Sequence, residues 1–308
     1  VVDIGSNDGT LLKFFKKYNL KVLGIDPASE IAAKATNEGI ETIPEFFNEK
    51  LAKSILNKYG KSKIITANNA FAHMDNLNEI MIGIKILMNE TSIFVFEISY
   101  LFDVIDKVLL GTIFHEHHSY HSLKPLTLFF DKFDMELIDV SRNNIQGGSL
   151  IGVVQIKRGA SKTKESVRDT LSLEKKFKLD NLDTFKNFSK NLIKTKNNIK
   201  SLIKKIKNEK KTIAGFGAAR SGTTLITQME IGDYIEYMVD DNLDKQGKYS
   251  PGDHILVRPT SYIYENFPDY MIILAWVHAK NIIENNQKYL DKGGAFIVCF
   301  PELKIIKK

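Results

Sequence analysis

The chain reads as an α/β protein with two Rossmann-like units joined by a helical segment. Three observations predict this. Residues 1–26 run apolar strand, glycine turn, amphipathic helix, second strand, then an acid. The same succession recurs over residues 212–240. Between them, residues 161–211 are Lys-rich and hold neither Gly nor Pro. The expected division is 1–160, a connector at 161–211, and 212–308, in keeping with two domains for a chain of 308 residues.

Each element follows from its residues. Residues 1–4 are a short apolar strand, and Gly5-Ser6-Asn7-Asp8-Gly9 is a turn. Leu11, Leu12, Phe14 and Phe15 have helical spacing, and residues 22–25 form the next strand, ending at Asp26. Residues 40–43, 64–67 and 93–98 are further strands. Residues 101–110 read as a short helix. Residues 137–140 and 150–156 fit an antiparallel hairpin, with Gly147-Gly148 in its turn. In the connector, Phe185, Phe188, Leu192, Ile199, Leu202 and Ile206 recur at alternating three and four spacing, with Thr195 filling the gap, which predicts an amphipathic helix. Residues 212–214, 237–239, 271–276 and 295–300 are strands of the second unit, with an apolar helix from about Thr223.

Composition narrows the function. A hydrophobic fraction of 43% supports packed cores, and no run of eighteen apolar residues marks a membrane span. The single cysteine, Cys299, excludes an intramolecular disulfide and fits a reducing cytoplasm. The net charge is +6, but Lys far outnumbers Arg and no basic patch is interleaved with aromatics. That argues against nucleic acid and for a mild attraction to phosphate-bearing small molecules. The first residue, Val1, already falls within a strand, so the sequence is expected to be part of a longer one, acting as monomer or homodimer.

The opening turn carries the first chemistry. Gly5 and Gly9 let the backbone approach a ligand, and Asp26 sits where an acid accepts ribose hydroxyls. Asp3 and Asp8 add carboxylates that would repel a pyrophosphate but suit a cation. S-adenosylmethionine offers a sulfonium, an ammonium and a ribose. Asn7 and Asn68 join Asp3, Gly5, Asp8, Gly9 and Asp26 as the expected cofactor residues. A glycine turn in another α/β fold is the alternative. The aromatics Phe46 and Phe47 either flank an adenine or pack under a helix. Asn69 and His73 stand four apart, so a helical turn would place both on one face.

Four of the seven histidines fall in Phe114-His115-Glu116-His117-His118-Ser119-Tyr120-His121-Ser122. Metal binding, general-base catalysis and a purely structural loop all remain open for this stretch. The metal reading lacks an H-E-x-x-H spacing, and a base needs one imidazole and a neighbour to orient it. In the second unit, Gly215-Phe216-Gly217 precedes Gly222 and Thr223. It is not a P-loop, because Thr223 stands where the phosphate lysine would be. Gly217, Arg220, Lys245 and His254 are candidates to hold a substrate's phosphates at the helix N-terminus. A structural domain without ligand is the alternative.

Taken together the motifs resemble the sugar C-methyltransferases that act on nucleotide-linked 4-keto-deoxysugars. The likeness rests on Asp3-Ile4-Gly5-Ser6-Asn7-Asp8-Gly9, Asn69-Ala70-Phe71-Ala72-His73, the histidine stretch from Phe114 to Tyr120, and Gly147-Gly148-Ser149-Leu150. It continues in Gly215-Phe216-Gly217-Ala218-Ala219-Arg220-Ser221-Gly222-Thr223-Thr224-Leu225. It closes with Asp240-Asp241-Asn242-Leu243-Asp244-Lys245-Gln246-Gly247 and Tyr249-Ser250-Pro251-Gly252-Asp253-His254-Ile255. The resemblance implies a class I methyltransferase domain followed by a second α/β domain, and no metal at the reacting carbon. It implies His117 as base, Glu116 against the substrate, Asn69 and His73 as site neighbours, and His115 and Tyr120 on the substrate side. Two departures stand out. Phe114 replaces a Tyr that often precedes H-E-H, and the family's cysteine-ligated zinc domain is not within these residues. O- or N-methylation, nicotinamide-dependent oxidoreduction and a non-catalytic scaffold are the rival functions.

Overall fold

The computed structural model describes all residues, 1–308, and they gather into two compact units. The first comprises Val1–Phe102 and Glu116–Asp180. The second comprises Asp103–His115 and Asn181–Lys308.

The first unit is built on β1 (Val2–Ile4), α1 (Thr10–Lys16), β2 (Leu23–Ile25), α2 (Ser29–Asn37), β3 (Thr42–Ile43) and α3 (Glu49–Tyr59). It continues through β4 (Ile64–Asn68), a 3-10 turn (Phe71–His73), α4 (Leu77–Leu87) and β5 (Ile93–Ser99). Next come α5 (Leu101–Asp106), whose last residues belong to the second unit, then α6 (Leu123–Asp131), β6 (Met135–Asn143), β7 (Ser149–Ile156) and α7 (Glu165–Phe177). The strand order is β3-β2-β1-β4-β5-β7-β6. β7 runs antiparallel to both β5 and β6, so the hairpin foreseen at the end of the sheet is present. It is longer than its apolar residues indicate. The ladder spans Met135↔Ile156 to Asn143↔Ser149, with a register shift between Leu137 and Asp139 that breaks the apolar alternation. This doubly wound order with an antiparallel last hairpin is the class I methyltransferase fold. The order reverses at β1 and β4, and the crevice above their carboxyl ends is where open α/β sheets bind ligands. Its core is aromatic. Phe71, Phe94, Phe96 and Phe130 are fully buried, and Gly152 of β7 leaves room for Phe96, whose ring carbon would lie 2.2 Å from an added Cβ.

The second unit holds α8 (Leu182–Asn208), β8 (Ile213–Phe216), α9 (Arg220–Met229), β9 (Met238–Val239), β10 (Val257–Arg258), β11 (Tyr270–Ile273), α10 (Ala279–Asn285), α11 (Gln287–Asp291), β12 (Ala295–Val298) and β13 (Lys304–Ile306). The order β10-β9-β8-β11-β12-β13 is Rossmann-like, with β13 alone antiparallel. The expected strand 271–276 stops at Ile273, and Trp276 lies in a 3-10 turn. The expected strand 295–300 stops at Val298. Gly215 and Phe216 belong to β8 rather than to the loop, and α9 begins at Arg220 rather than near Thr223.

The Lys-rich segment is two helices, not one. Lys178 takes a left-handed conformation after α7, and Asn181 accepts a hydrogen bond from the Asp183 amide at the start of α8. Neither signal is a Gly or Pro. The apolar stripe of α8 buries Ile199, Ile203 and Ile206 in the second unit's core with Ile213, Leu225 and Met238. No helix is long and apolar enough to cross a membrane.

One device appears in both units. The Asp26 carboxylate after β2 accepts from the Asn7 amide at 2.9 Å and the Ala28 amide at 3.0 Å. Asp240 after β9 accepts from the Ala218 amide at 2.8 Å and the Asn242 amide at 2.9 Å. In each unit an acid beyond the second strand fastens the loop beyond the first.

Candidate functional site

The loop after β1 is shaped by its glycine and its acids. Gly5 has φ +76, and an added Cβ would lie 2.8 Å from that of Ala70, so conformation and contact both require glycine. Asn7 also takes a left-handed conformation, φ 50. The Asp8 carboxylate accepts the Thr10 amide at 3.0 Å, which secures the first turn of α1. Asp3 stands elsewhere than expected. It is buried within β1, 4% exposed, and accepts a hydrogen bond from Thr66 Oγ1 at 2.6 Å. Burial pushes its carboxyl up to about 6, a rise opposed by the Thr66 hydroxyl and aided by the Asp26 charge.

That shift fixes a stability dependence. A carboxyl whose folded value lies above its unfolded 3.8 stabilises the fold fully below pH 3.8 and loses that contribution as pH rises through about 6. The loss amounts to about 3 kcal/mol at 1.36 kcal/mol per unit. Asp3→Asn keeps an acceptor for Thr66 and never ionises. Its stability relative to wild type is expected to climb between pH 4 and pH 8 in urea unfolding. Parallel pH profiles for the two proteins would contradict the burial argument.

Above the sheet is a cleft of ≈ 610 Å³. Five of the expected residues line it: Gly5, Asn7, Asn68, Asn69 and His73. Four of the expected cofactor residues do not: Asp3, Asp8, Gly9 and Asp26, although Ile25 and Pro27 on either side of Asp26 do. The Asn69–His73 pair reaches the cleft by a different geometry from the one predicted. Asn69 is left-handed, φ 52, with its amide donating to the Glu97 carbonyl, and His73 closes a 3-10 turn. The two aromatics divide their roles. Phe47 is buried against Gly83 of α4, while Phe46 lies on the rim, 76% exposed. Glu45, Asp75 and Glu79 also line the cleft and were not foreseen. Their signal in the sequence is faint, because Asp75 and Glu79 flank the start of α4, where acids are ordinary, and Glu45 lies in a loop.

The four histidines have four different surroundings. His117 packs edge-on against His73, with ring centroids 4.9 Å apart, and its ring lies 5.9 Å from that of Tyr120. His118 Nδ1 lies 2.6 Å from Asp75 Oδ1. The His121 ring is tilted against Phe71 at 5.4 Å, and its Nε2 lies 2.9 Å from Ser119 Oγ. Burial pulls the His121 imidazole down to about 4, so it is neutral against the core. His115 is exposed and, like Phe114, belongs to the second unit. Backbone bonds seat the stretch, since the amides of His118 and Ser119 both donate to the Ala72 carbonyl. Glu116 is half-buried.

In the second unit a smaller cleft of ≈ 290 Å³ is lined by Ala218, Ala219, Thr223, Lys245, Lys248 and Tyr249 among others. Of the four expected substrate residues only Lys245 lines it, and its Nζ lies 3.1 Å from Asp240. Gly217 has φ +91 with Ala275 tight against it. The Arg220 guanidinium lies over the Phe114 ring at 5.4 Å. His254 is exposed on a left-handed turn, φ 54.

Comparison with known proteins bears on this geometry. The family model described as C-methyltransferase C-terminal domain matches residues 144–301. Over 307 residues the chain is 31% identical to C-methyltransferase NovU of Streptomyces niveus, covering 99% of this chain and 73% of that protein. The chain belongs to the C-methyltransferase family. In this C-methyltransferase the family region begins in the loop between β6 and β7 and runs through β12. Among solved structures, a SAM-dependent methyltransferase from Anabaena variabilis aligns with 51% of this chain and 76% of its own, at 15% identity and a TM-score of 0.41. The plantazolicin methyltransferase BpumL, solved with SAH, aligns over 51% and 76%, at 16% identity and a TM-score of 0.40.

Proposed function

We propose that this C-methyltransferase carries a methyl group from S-adenosylmethionine to the carbon beside the ketone of a nucleotide-linked keto-deoxysugar, in the cytoplasm, with His117 as base. One observation carries the reading. His73 lines the cleft above β1 and β4, and the His117 ring rests edge-on against it. An imidazole therefore stands one ring's width from a ligand-sized crevice at the sheet's switch point.

The residues present fit the cofactor. Glu45, Asp75 and Glu79 give the cleft a charge that favours a cation. Each oxygen of Asp26 accepts one backbone amide and retains a lone pair for a ribose hydroxyl. Phe46 offers an exposed ring face on the rim for an adenine. When bound, the cofactor supplies an electrophilic methyl on a sulfonium.

The protein's own part is proton transfer and positioning. His117 takes the proton from the carbon beside the ketone. The electron pair of that C–H bond spreads onto the ketone oxygen and would then form the new carbon–carbon bond as the methyl–sulfur bond breaks, its pair leaving on the sulfur of S-adenosylhomocysteine. The side-chain amide of Asn69, a cleft-lining residue, is assigned to steady the oxygen, a task that Phe114, lacking a hydroxyl, cannot perform. In the first unit Glu116 and Tyr120 are assigned to the sugar; in the second, taken by itself, His115, Gly217, Arg220, Lys245 and His254 are assigned to substrate binding. Family membership favours this reading over O- or N-methylation and over hydride transfer.

The test is a reaction with S-adenosylmethionine and a nucleotide-linked 4-keto-6-deoxyhexose, followed by carbon NMR. The expected product has its methyl on a ring carbon, and the ring proton beside the ketone exchanges in deuterated water. A methyl on oxygen, or transfer without any exchange, would overturn the assignment.

A further inference from the structure

The chain from Asn69 to Asn76 serves two structures at once. Asn69, Ala70, His73, Met74, Asp75 and Asn76 form one wall of the cleft. The same segment seats the loop that bears the base. The Ala72 carbonyl accepts the amides of His118 and Ser119, at 3.0 and 3.4 Å, and His73 supports the His117 ring. The third tie is a side-chain one. His118 Nδ1 lies 2.6 Å from Asp75 Oδ1, so that nitrogen carries the hydrogen and the carboxylate accepts it.

The exposure of this pair is informative. The Asp75 side chain is 87% exposed and that of His118 is 46% exposed. A pair so open to water adds little to stability. What it does fix is direction. It holds the residue next to His117 to a side chain that itself faces the cleft. Any ligand that fills the cleft meets Asp75, and whatever moves Asp75 is felt one residue from the base.

We propose that Asp75 and His118 form a latch through which occupation of the cleft sets the orientation of His117. Both are positioning residues, and the methyl donor binds before the base is correctly aimed. The inference rests on the cleft being the cofactor's. Fixing a reacting group in one orientation is worth a large factor in rate, and an error of an ångström costs on the order of a hundredfold.

The experiment uses the whole chain with ¹⁵N-labelled histidine and S-adenosylhomocysteine as the probe. The His117 ring signals, assigned with His117→Asn, are followed through a titration alongside calorimetry. In wild type the ring signals are expected to shift as the probe binds. In His118→Asn, whose amide can still donate to Asp75, the shift persists. In His118→Leu the probe still binds but the shift is lost; in Asp75→Ala, which also removes one of the cleft's acids, the probe binds more weakly and the shift is lost at saturation. In both, kcat falls on the order of ten- to a hundredfold while the sugar KM stays within about threefold. Probe binding with no movement of the His117 signals in wild type would overturn the latch. So would an unchanged kcat in His118→Leu. Failure of the probe to bind at all would instead overturn the reading of the cleft, and the latch with it.

Discussion

His117→Asn is expected to lower kcat for methyl transfer by roughly 10²–10⁴, the range for removing a general base. Asn preserves polarity and approximate size but cannot take a proton. His117 is not among the residues lining the cleft, whereas His73 is. Calorimetric affinity for S-adenosylhomocysteine should therefore change by no more than about threefold, the margin of a residue outside the ligand's contacts. Exchange of the sugar's ring proton with deuterated water should vanish together with transfer. His73→Asn should cost less, on the order of tenfold, because it removes a support rather than the base. With the rings 4.9 Å apart, the double variant should be far less damaged than the product of the two losses. Normal exchange in His117→Asn, with transfer alone slowed, would mean that another group takes the proton.

How much of this was legible in the sequence depends on how local each cause is. The glycine turn, the acid after the second strand and the strand order's beginnings are set within about 25 residues, and periodicity shows them. Asp26 and Asp240 were legible for that reason. Asp3 was not. Beside a glycine turn it reads as a ligand carboxylate, but its partner is Thr66 on the neighbouring strand β4, sixty-three residues away. Strand pairing at that distance leaves no local signal. The histidines teach the same lesson. Spacing alone treats His115, His117, His118 and His121 as equals, while contacts with Phe71, His73 and Asp75 separate them. The break in the connector escaped because a Lys, not a Gly, takes the left-handed position after α7.

Glu174 is the plainest case of a residue hidden by its surroundings, and it carries the largest expected effect on stability. It lies in a Lys-rich stretch that reads as a solvated helix face, yet it is 4% exposed. Its Oε1 accepts from the Tyr100 hydroxyl at 2.8 Å and the Leu123 amide at 2.5 Å, and its Oε2 accepts from the Lys124 amide at 3.0 Å. Leu123 and Lys124 open α6, and Ser122 before them makes no side-chain cap. Those first amides have no partner within the helix, and the positive end of the helix dipole favours an anion there. A carboxylate from α7 thus caps a helix fifty residues earlier. It also joins the start of α6 to Tyr100, just beyond β5. The chain leaves the first unit after Phe102 and returns at Glu116, so both anchors of the histidine stretch meet at this one side chain.

Glu174→Ala strips acceptors from three donors, and the loss is expected to be about 3–5 kcal/mol, at roughly 1–3 kcal/mol for each buried donor left without a partner. Glu174→Gln retains one acceptor oxygen but turns an NH₂ group toward donors, for roughly 1–3 kcal/mol. Tyr100→Phe removes one donor and leaves the cap, for about 1 kcal/mol. Urea midpoints for the first unit should follow that order. Hydrogen exchange should show the Leu123 and Lys124 amides losing protection in Glu174→Ala and keeping it in Tyr100→Phe. If Glu174→Ala unfolded no earlier than Tyr100→Phe, the three donors would have to find other acceptors in the folded chain. The cap would then not be what holds α6, and with it the return of the histidine stretch, in place.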